Sequence, residues 1–360
     1  MKKLFYVLLL SVLVAMMVLS GCTQPASQPA PESSPSESSP SETPEQHEQV
    51  AIDILSMAFG GAGYVASFAL GDMINKYSPW LRATTLETPG GIYNLKILAD
   101  DPEVRKKSII FGTFATNNLL EKGIDPFDQE YSGIKAVSLA QSVAHTYVTL
   151  DPNIKSGRDF AGKRIGLPSA SSNGKVEPEV LMEYAWDVKD KAKLEYLGWS
   201  EAIQALRDGM VDVAISNPSF IGEGKVAANP AMEELMSIRS DYYFVPISKE
   251  DIDTARNKSG YPIFPAELPP GALGPTQTEP HGIALITNGW MADEELPDDV
   301  VYEICRVIYE YYEEFWPRHA TLQGLTPETM ATLAPNESDY HPGAIKFYKD
   351  KGIKIGFELD

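Results

Sequence analysis

The chain has 360 residues, 43% of them hydrophobic, with 30 Lys and Arg against 50 Asp and Glu, a formal net charge of −20 at pH 7. So acidic a surface argues against nucleic acid as a partner and offers no attraction to anionic lipid, yet a cradle of backbone N–H groups can still hold an anionic ligand. The length is sufficient for two packed lobes.

Lys2 and Lys3 open the chain, an apolar run follows over residues 4–19, and it ends in Leu19-Ser20-Gly21-Cys22. About 16 apolar residues fall short of the roughly 20 that a membrane-spanning helix needs. The pattern resembles a bacterial lipoprotein signal over residues 1–21, with the cut before Cys22 and the lipid on Cys22. Residues 22–49 then read as the lipidated Cys and a disordered tether, because a run of Pro, Ser, Glu, Gln, Ala and Thr cannot bury enough apolar surface to offset chain ordering. The expected setting is extracytoplasmic, held to the cell membrane by lipid on Cys22, and nothing after residue 19 is apolar for long enough to span a bilayer. Once Cys22 is lipidated only Cys305 remains, so no intrachain disulfide is expected.

Beyond the tether, periodicity predicts alternating strands and helices. A buried strand at 50–59 leads through a Gly-rich turn into a helix at 64–76, and a strand at 81–87 leads through the turn 88–91 into a helix from Tyr93. Strands at 108–111 and 134–139 flank a helix at 113–122. The pattern restarts with an extended segment at 145–150, a short helix at 157–160 and a strand at 163–167. A Ser-rich turn at 169–174, a helix at 176–186, a strand at 193–197, a helix capped by Ser200 and stopped at Gly209, and a strand at 211–216 follow. Residues 261–280, rich in Pro and Gly, read as an irregular loop, 282–287 as a strand and 297–315 as a helix with an apolar stripe through Val301, Ile304 and Ile308. The fold class is α/β.

The sharpest local motif is Gly61-Ala62-Gly63-Tyr64-Val65-Ala66, between a strand and a helix, with Glu87 at the end of the next strand. Taken alone it is a dinucleotide fingerprint, and an NAD-type oxidoreductase built on residues 61–66 is the alternative reading. Export weighs against that alternative, since a freely diffusing nicotinamide cofactor is scarce outside the cytoplasm. In either case a Gly-rich turn opening a helix offers free N–H groups to an anion, a carboxylate included. Thr88-Pro89-Gly90-Gly91 and Ser169-Ala170-Ser171-Ser172-Asn173-Gly174 repeat the arrangement, and three such turns at the carboxyl ends of strands can converge on one ligand. His47, His145, His281, His319 and His341 are widely spaced, each reading as structural or solvated. No nucleophile setting, metal site or cofactor is expected, and the protein is not read as an enzyme.

Several segments together resemble the TAXI family of solute receptors, the extracytoplasmic binding proteins of TRAP-type transporters. They are Phe59-Gly60-Gly61-Ala62-Gly63-Tyr64, Glu87-Thr88-Pro89-Gly90-Gly91-Ile92-Tyr93-Asn94, Asp159-Phe160-Ala161-Gly162-Lys163-Arg164 and Tyr340-His341-Pro342-Gly343-Ala344. The resemblance covers nearly all of residues 50–353 and implies a type II periplasmic-binding-protein-like fold, two lobes joined by two hinge strands near 143–150 and 282–287. Residues 50–142 would form the first part of lobe 1, 143–282 lobe 2, and 283–360 the return to lobe 1 with its C-terminal helices. It further implies a small carboxylate, amino acid or organic acid, captured between the lobes and delivered to a TRAP-type membrane permease. A membrane-tethered sensor or chaperone without a transporter is a further alternative. The implied ligand contacts are Gly61, Ala62, Gly63, Tyr64, Thr88, Gly90, Gly91, Asn94, Thr113, Ser169, Ser171, Ser172, Asn173 and Asn217. Tyr64 would close one side, Thr88 and the serines would offer hydroxyls, and Asn94 or Asn217 would be amide partners. Ser171-Ser172-Asn173-Gly174 replaces the family's Gly-Ser-Gly turn, and Thr113-Phe114-Ala115-Thr116 replaces its usual Asp, so the glutamate-like preference of the family carries over only in part.

Overall fold

A computed structural model describes residues 48–59, 62–170, 172–222 and 225–357. The signal, Cys22 and the tether up to His47 lie outside the described residues, as do Gly61 and Ser171. In chain order the elements are β1 (Val50–Leu55), α1 (Ala62–Tyr77), β2 (Leu81–Leu86), α2 (Gly91–Asp100), α3 (Pro102–Arg105), β3 (Ser108–Thr113), α4 (Phe114–Glu121) and β4 (Ile134–Thr149). Next come β5 (Arg164–Leu167), α5 (Val176–Val180), β6 (Lys193–Tyr196), α6 (Trp199–Arg207), β7 (Val213–Ser216), β8 (Ser219–Gly222) and β9 (Lys225–Ala227). The remainder is α7 (Pro230–Ile238), β10 (Tyr243–Val245), α8 (Lys249–Ser259), β11 (Phe264–Leu268), β12 (His281–Asp293), α9 (Asp298–Tyr311) and α10 (Pro342–Lys351).

The strands order as β2-β1-β3-β12-β4-β7-β5-β6. Parallel pairing joins β1 to β2 and to β3 at one end, and β5 to β6 and to β7 at the other. Between these parallel groups run β12 and β4, antiparallel to each other and to their outer neighbours β3 and β7. β4 serves both groups, pairing with β12 from Ile134 to His145 and with β7 and β10 over its last four residues. The architecture is thus a mixed α/β fold of two lobes sharing a pair of crossing strands.

Fourteen of the 16 residues from Ile134 to Thr149 are buried, only Lys135 and Ser142 being partly exposed, so the strand cannot be uncovered without opening the core. The pair approaches closely where its register shifts, at Gly289, because a Cβ there would lie 2.2 Å from Ser138 O. The C-terminal segment returns to brace the same pair: Tyr348 Oη donates to Val137 O at 2.6 Å, Leu139 N–H to Met330 O at 2.8 Å and Thr287 Oγ1 to Leu333 O at 2.8 Å. α9 lays Val301, Ile304 and Ile308 against the core as its periodicity predicts, and Cys305 is fully buried beside them.

Several boundaries differ from expectation for local reasons. The first strand stops at Leu55 instead of residue 59, and α1 starts at Ala62. The strands expected at 134–139 and 145–150 are one strand, since residues 141–144 keep their pairing with β12. α6 begins at Trp199 with Gly198 at its N-cap, so Ser200 lies inside the first turn and does not cap it. The helix expected at 176–186 is α5 followed by a π-helical turn, Leu181–Ala185. The irregular loop at 261–280 contains β11, an edge strand whose Pro265 costs no ladder bond because only β12 pairs with it. Residues 217–260, for which no element is predicted above, form β8, β9, α7, β10 and α8.

His281 opens β12 with its Nε2 2.7 Å from Thr146 Oγ1 and its ring against Phe244, and burial pushes the imidazole down to about 4. The unfolded chain, with an ordinary His near 6.5, binds this proton first as pH falls, so its contribution to stability is present above about 6.5 and is lost between about 6.5 and 4. We expect urea unfolding to show His281→Gln losing about 2 kcal/mol less than the native protein between pH 7 and pH 4.5.

Candidate functional site

The carboxyl ends of the parallel strands in both lobes open on one cavity of about 450 Å³, within the range of small-molecule sites. Its floor is the crossing pair: Gln141, Val143 and His145 alternate along β4, and Ile286 and Asn288 along β12. One wall is Met57, Ala58, Phe59, Ala62, Gly63, Pro89, Gly90, Phe111 and Thr113, and the other is Ser169, Ser172, Asn173, Gly174, Glu177, Trp199, Ser200, Glu201 and Asn217, with Tyr261 completing the lining.

Of the residues singled out from sequence, Ala62, Gly63, Gly90, Thr113, Ser169, Ser172, Asn173 and Asn217 line this cavity. Their contacts refine the expectation. Asn173 Nδ2 donates to Thr113 Oγ1, and Thr113 Oγ1 donates to Asn288 Oδ1 at 2.7 Å, a chain that links the two lobes through the floor. Ser172 Oγ caps the short turn by accepting from Gly174 N–H at 3.1 Å, and Asn217 Oδ1 accepts from Asn229 Nδ2 at 3.1 Å. Gly63 serves packing, since a Cβ there would lie 2.6 Å from the Phe111 ring. Gly174 is likewise held small by Trp199, whose ring would come within 2.5 Å of a Cβ.

Four expected contacts belong to the scaffold instead. Thr88 is buried and its hydroxyl donates to Ser56 O at 2.7 Å. Asn94 is fully buried, and its Nδ2 donates to Leu55 O at 3.2 Å, Ser56 O at 2.6 Å and Phe111 O at 3.1 Å, tying α2 to the ends of β1 and β3. Tyr64 stacks between Phe68, with ring centroids 4.3 Å apart, and Phe59, at 5.3 Å, and is absent from the cavity lining. Gly91 opens α2 beside the Asn173 amide without reaching the lining. Glu87, the acid of the dinucleotide fingerprint, accepts from Phe59 N–H at 3.2 Å and so braces the first loop.

Sequence reasoning missed Gln141, His145, Glu177, Trp199, Glu201, Tyr261 and Asn288. His145 Nδ1 lies 2.6 Å from Glu177 Oε2, with both side chains at or below 3% exposure, and the Trp199 ring covers the imidazole at 5.1 Å. Burial raises the Tyr261 hydroxyl above its ordinary range, and burial with the Glu177 charge does the same to Tyr147 behind the floor, so both stay protonated. The period-two spacing of Gln141 and His145 within an apolar strand is the signal that could have found them.

Three helices start at the cavity. α1 contributes Ala62 and Gly63, α2 begins behind Gly90 with no side-chain cap, and α6 begins behind Gly198, also without one. Their first-turn N–H groups and dipoles favour negative charge on a ligand. Among the described residues no group of His, Cys, Asp and Glu could hold a metal ion, and no helix is long and apolar enough to cross a membrane. Replacing Asn94 by Ala removes its amide donor from Leu55 O, Ser56 O and Phe111 O, of which Ser56 O keeps the Thr88 hydroxyl, and is expected to cost about 2–4 kcal/mol in urea unfolding.

The fold resembles those of several solved proteins at low identity. MatC from Rhodopseudomonas palustris with bound malate is 13% identical, with 84% of this chain and 96% of that one covered and a TM-score of 0.48. The periplasmic binding protein BugD is 13% identical over 86% and 100%, at 0.46, and XAC2383 from Xanthomonas citri bound to ATP is 12% identical over 76% and 89%, at 0.44. Residues 54–352, which include every lining residue of the cavity, match the NMT1-like family, and the chain belongs to that family.

Proposed function

We propose that the protein is an extracytoplasmic solute-binding receptor that captures a small carboxylate-bearing solute between its lobes and delivers it to a membrane permease of the TRAP type. The observation that carries this reading is the convergence of the α1, α2 and α6 N-termini on one cavity whose floor is the strand pair shared by both lobes. A carboxylate there accepts from backbone N–H groups at Ala62 and Gly63, with Ser169 and Ser172 as hydroxyl partners. In the lining His145 is engaged by Glu177, and Ser172 Oγ accepts from Gly174 N–H in its own turn. The ligand binding proposed for Gly61 and Ser171 extends the same loops, and Cys22 is the proposed lipid anchor.

Two measurements test this reading. Binding to the native state must stabilise it, so at least one member of a panel of amino acids and organic acids, at a hundredfold excess over its Kd, is expected to add about 2.7 kcal/mol to unfolding. No rise in melting temperature across the panel rejects the receptor reading. Cys22→Ser is expected to move the protein from the membrane fraction to the soluble fraction without altering ligand-induced stabilisation.

A further inference from the structure

The cavity lining contains Glu177 and Glu201 but neither Lys nor Arg, so a ligand carrying only negative charge would meet two carboxylates with His145 as the one basic side chain. Glu177 is 1% exposed and Gln141 8% exposed, and in each the Oε1 atom is buried with no hydrogen-bond partner, although Glu177 Oε2 is taken by His145. Two buried acceptors without donors are costly unless something else donates to them. Trp199 lines the same cavity, its ring 5.1 Å from the His145 imidazole, and supplies an aromatic surface there. Glu201, exposed in the first turn of α6, adds a further negative charge on the same side.

From these observations we infer that the site selects solutes bearing a protonated amine, which Glu177, Gln141 and Trp199 recognise while the N-termini of α1 and α2 on the other wall hold the carboxylate. The inference rests on the receptor reading and sharpens it: the preferred solute is zwitterionic or net positive, and a dicarboxylate lacking nitrogen is disfavoured. A protonated amine has three N–H donors, enough to reach both orphaned oxygens, and its charge offsets the carboxylate buried beside it.

The test compares matched series by calorimetry: L-amino acids, the 2-hydroxy acids of the same skeleton, and the unsubstituted acids. The amino member is expected to bind at least tenfold more tightly than its partners. Glu177→Gln, close in shape to the native residue, should cut affinity for the amino member about tenfold or more and strengthen that for the unsubstituted acid, so that the preference between them collapses. Glu201→Gln, at an exposed position that folding tolerates, should weaken the amino member alone by a few fold. If the unsubstituted acid binds as tightly as the amino acid, or if both Gln variants keep the native preference, the inference fails and the receptor reading stands. If no member of any series binds, both fail.

Discussion

β4 and β12 are each a single uninterrupted strand, yet together they pair with strands of both lobes. Both faces of β4 are covered along nearly its whole length, and the C-terminal segment braces β4 with Tyr348 and Met330 and β12 with Leu333. A strand buried on both faces and paired on both edges has little freedom to slip, because a shift of one residue would exchange its two sets of side chains. The register therefore determines which side chains reach the cavity. Gln141 and His145 stand on the floor as a direct result of the pairing that places Ala284 opposite His145 and Asn288 opposite Gln141.

Upon that floor the two kinds of charge have different origins. The positive side is made of backbone, from the ends of α1 and α2 that start at strand-to-helix turns, and it needs no basic residue. The negative side is made of side chains, Glu177 from α5 and Glu201 from α6. A chain with so strong an overall negative charge can thus present a pole of either sign within one cavity. The arrangement places the poles by topology: backbone poles follow from where strands end, whereas carboxylates can be moved by single substitutions.

The α/β character was legible because apolar runs of strand length alternate with helical spacing, and the turns at 88–91 and 169–174 were legible because Gly, Pro and Ser punctuate them. Their side chains were harder to assign. Thr88 and Asn94 are polar residues in a loop that meets the cavity, but whether such a side chain turns outward or satisfies buried carbonyls depends on β1 and β3, which approach only in three dimensions. His145 looked solitary because its partner Glu177 is 32 residues away in sequence. Short edge strands such as β11 were hidden by their Pro and Gly content. Locally encoded features were readable, and those created by long-range pairing were not.

The hydrogen bonds from Asn173 through Thr113 to Asn288 have a direction. Thr113 has one hydroxyl proton, and donating it to Asn288 Oδ1 leaves the same oxygen to accept from Asn173. This orders the Asn288 amide: with its oxygen committed to Thr113, its NH2 group is the end left to face other partners. A side chain of the second lobe, by donating to Thr113, is compatible only with that polarity, so the contact between lobes and the orientation of a residue in the shared floor are consistent with one another.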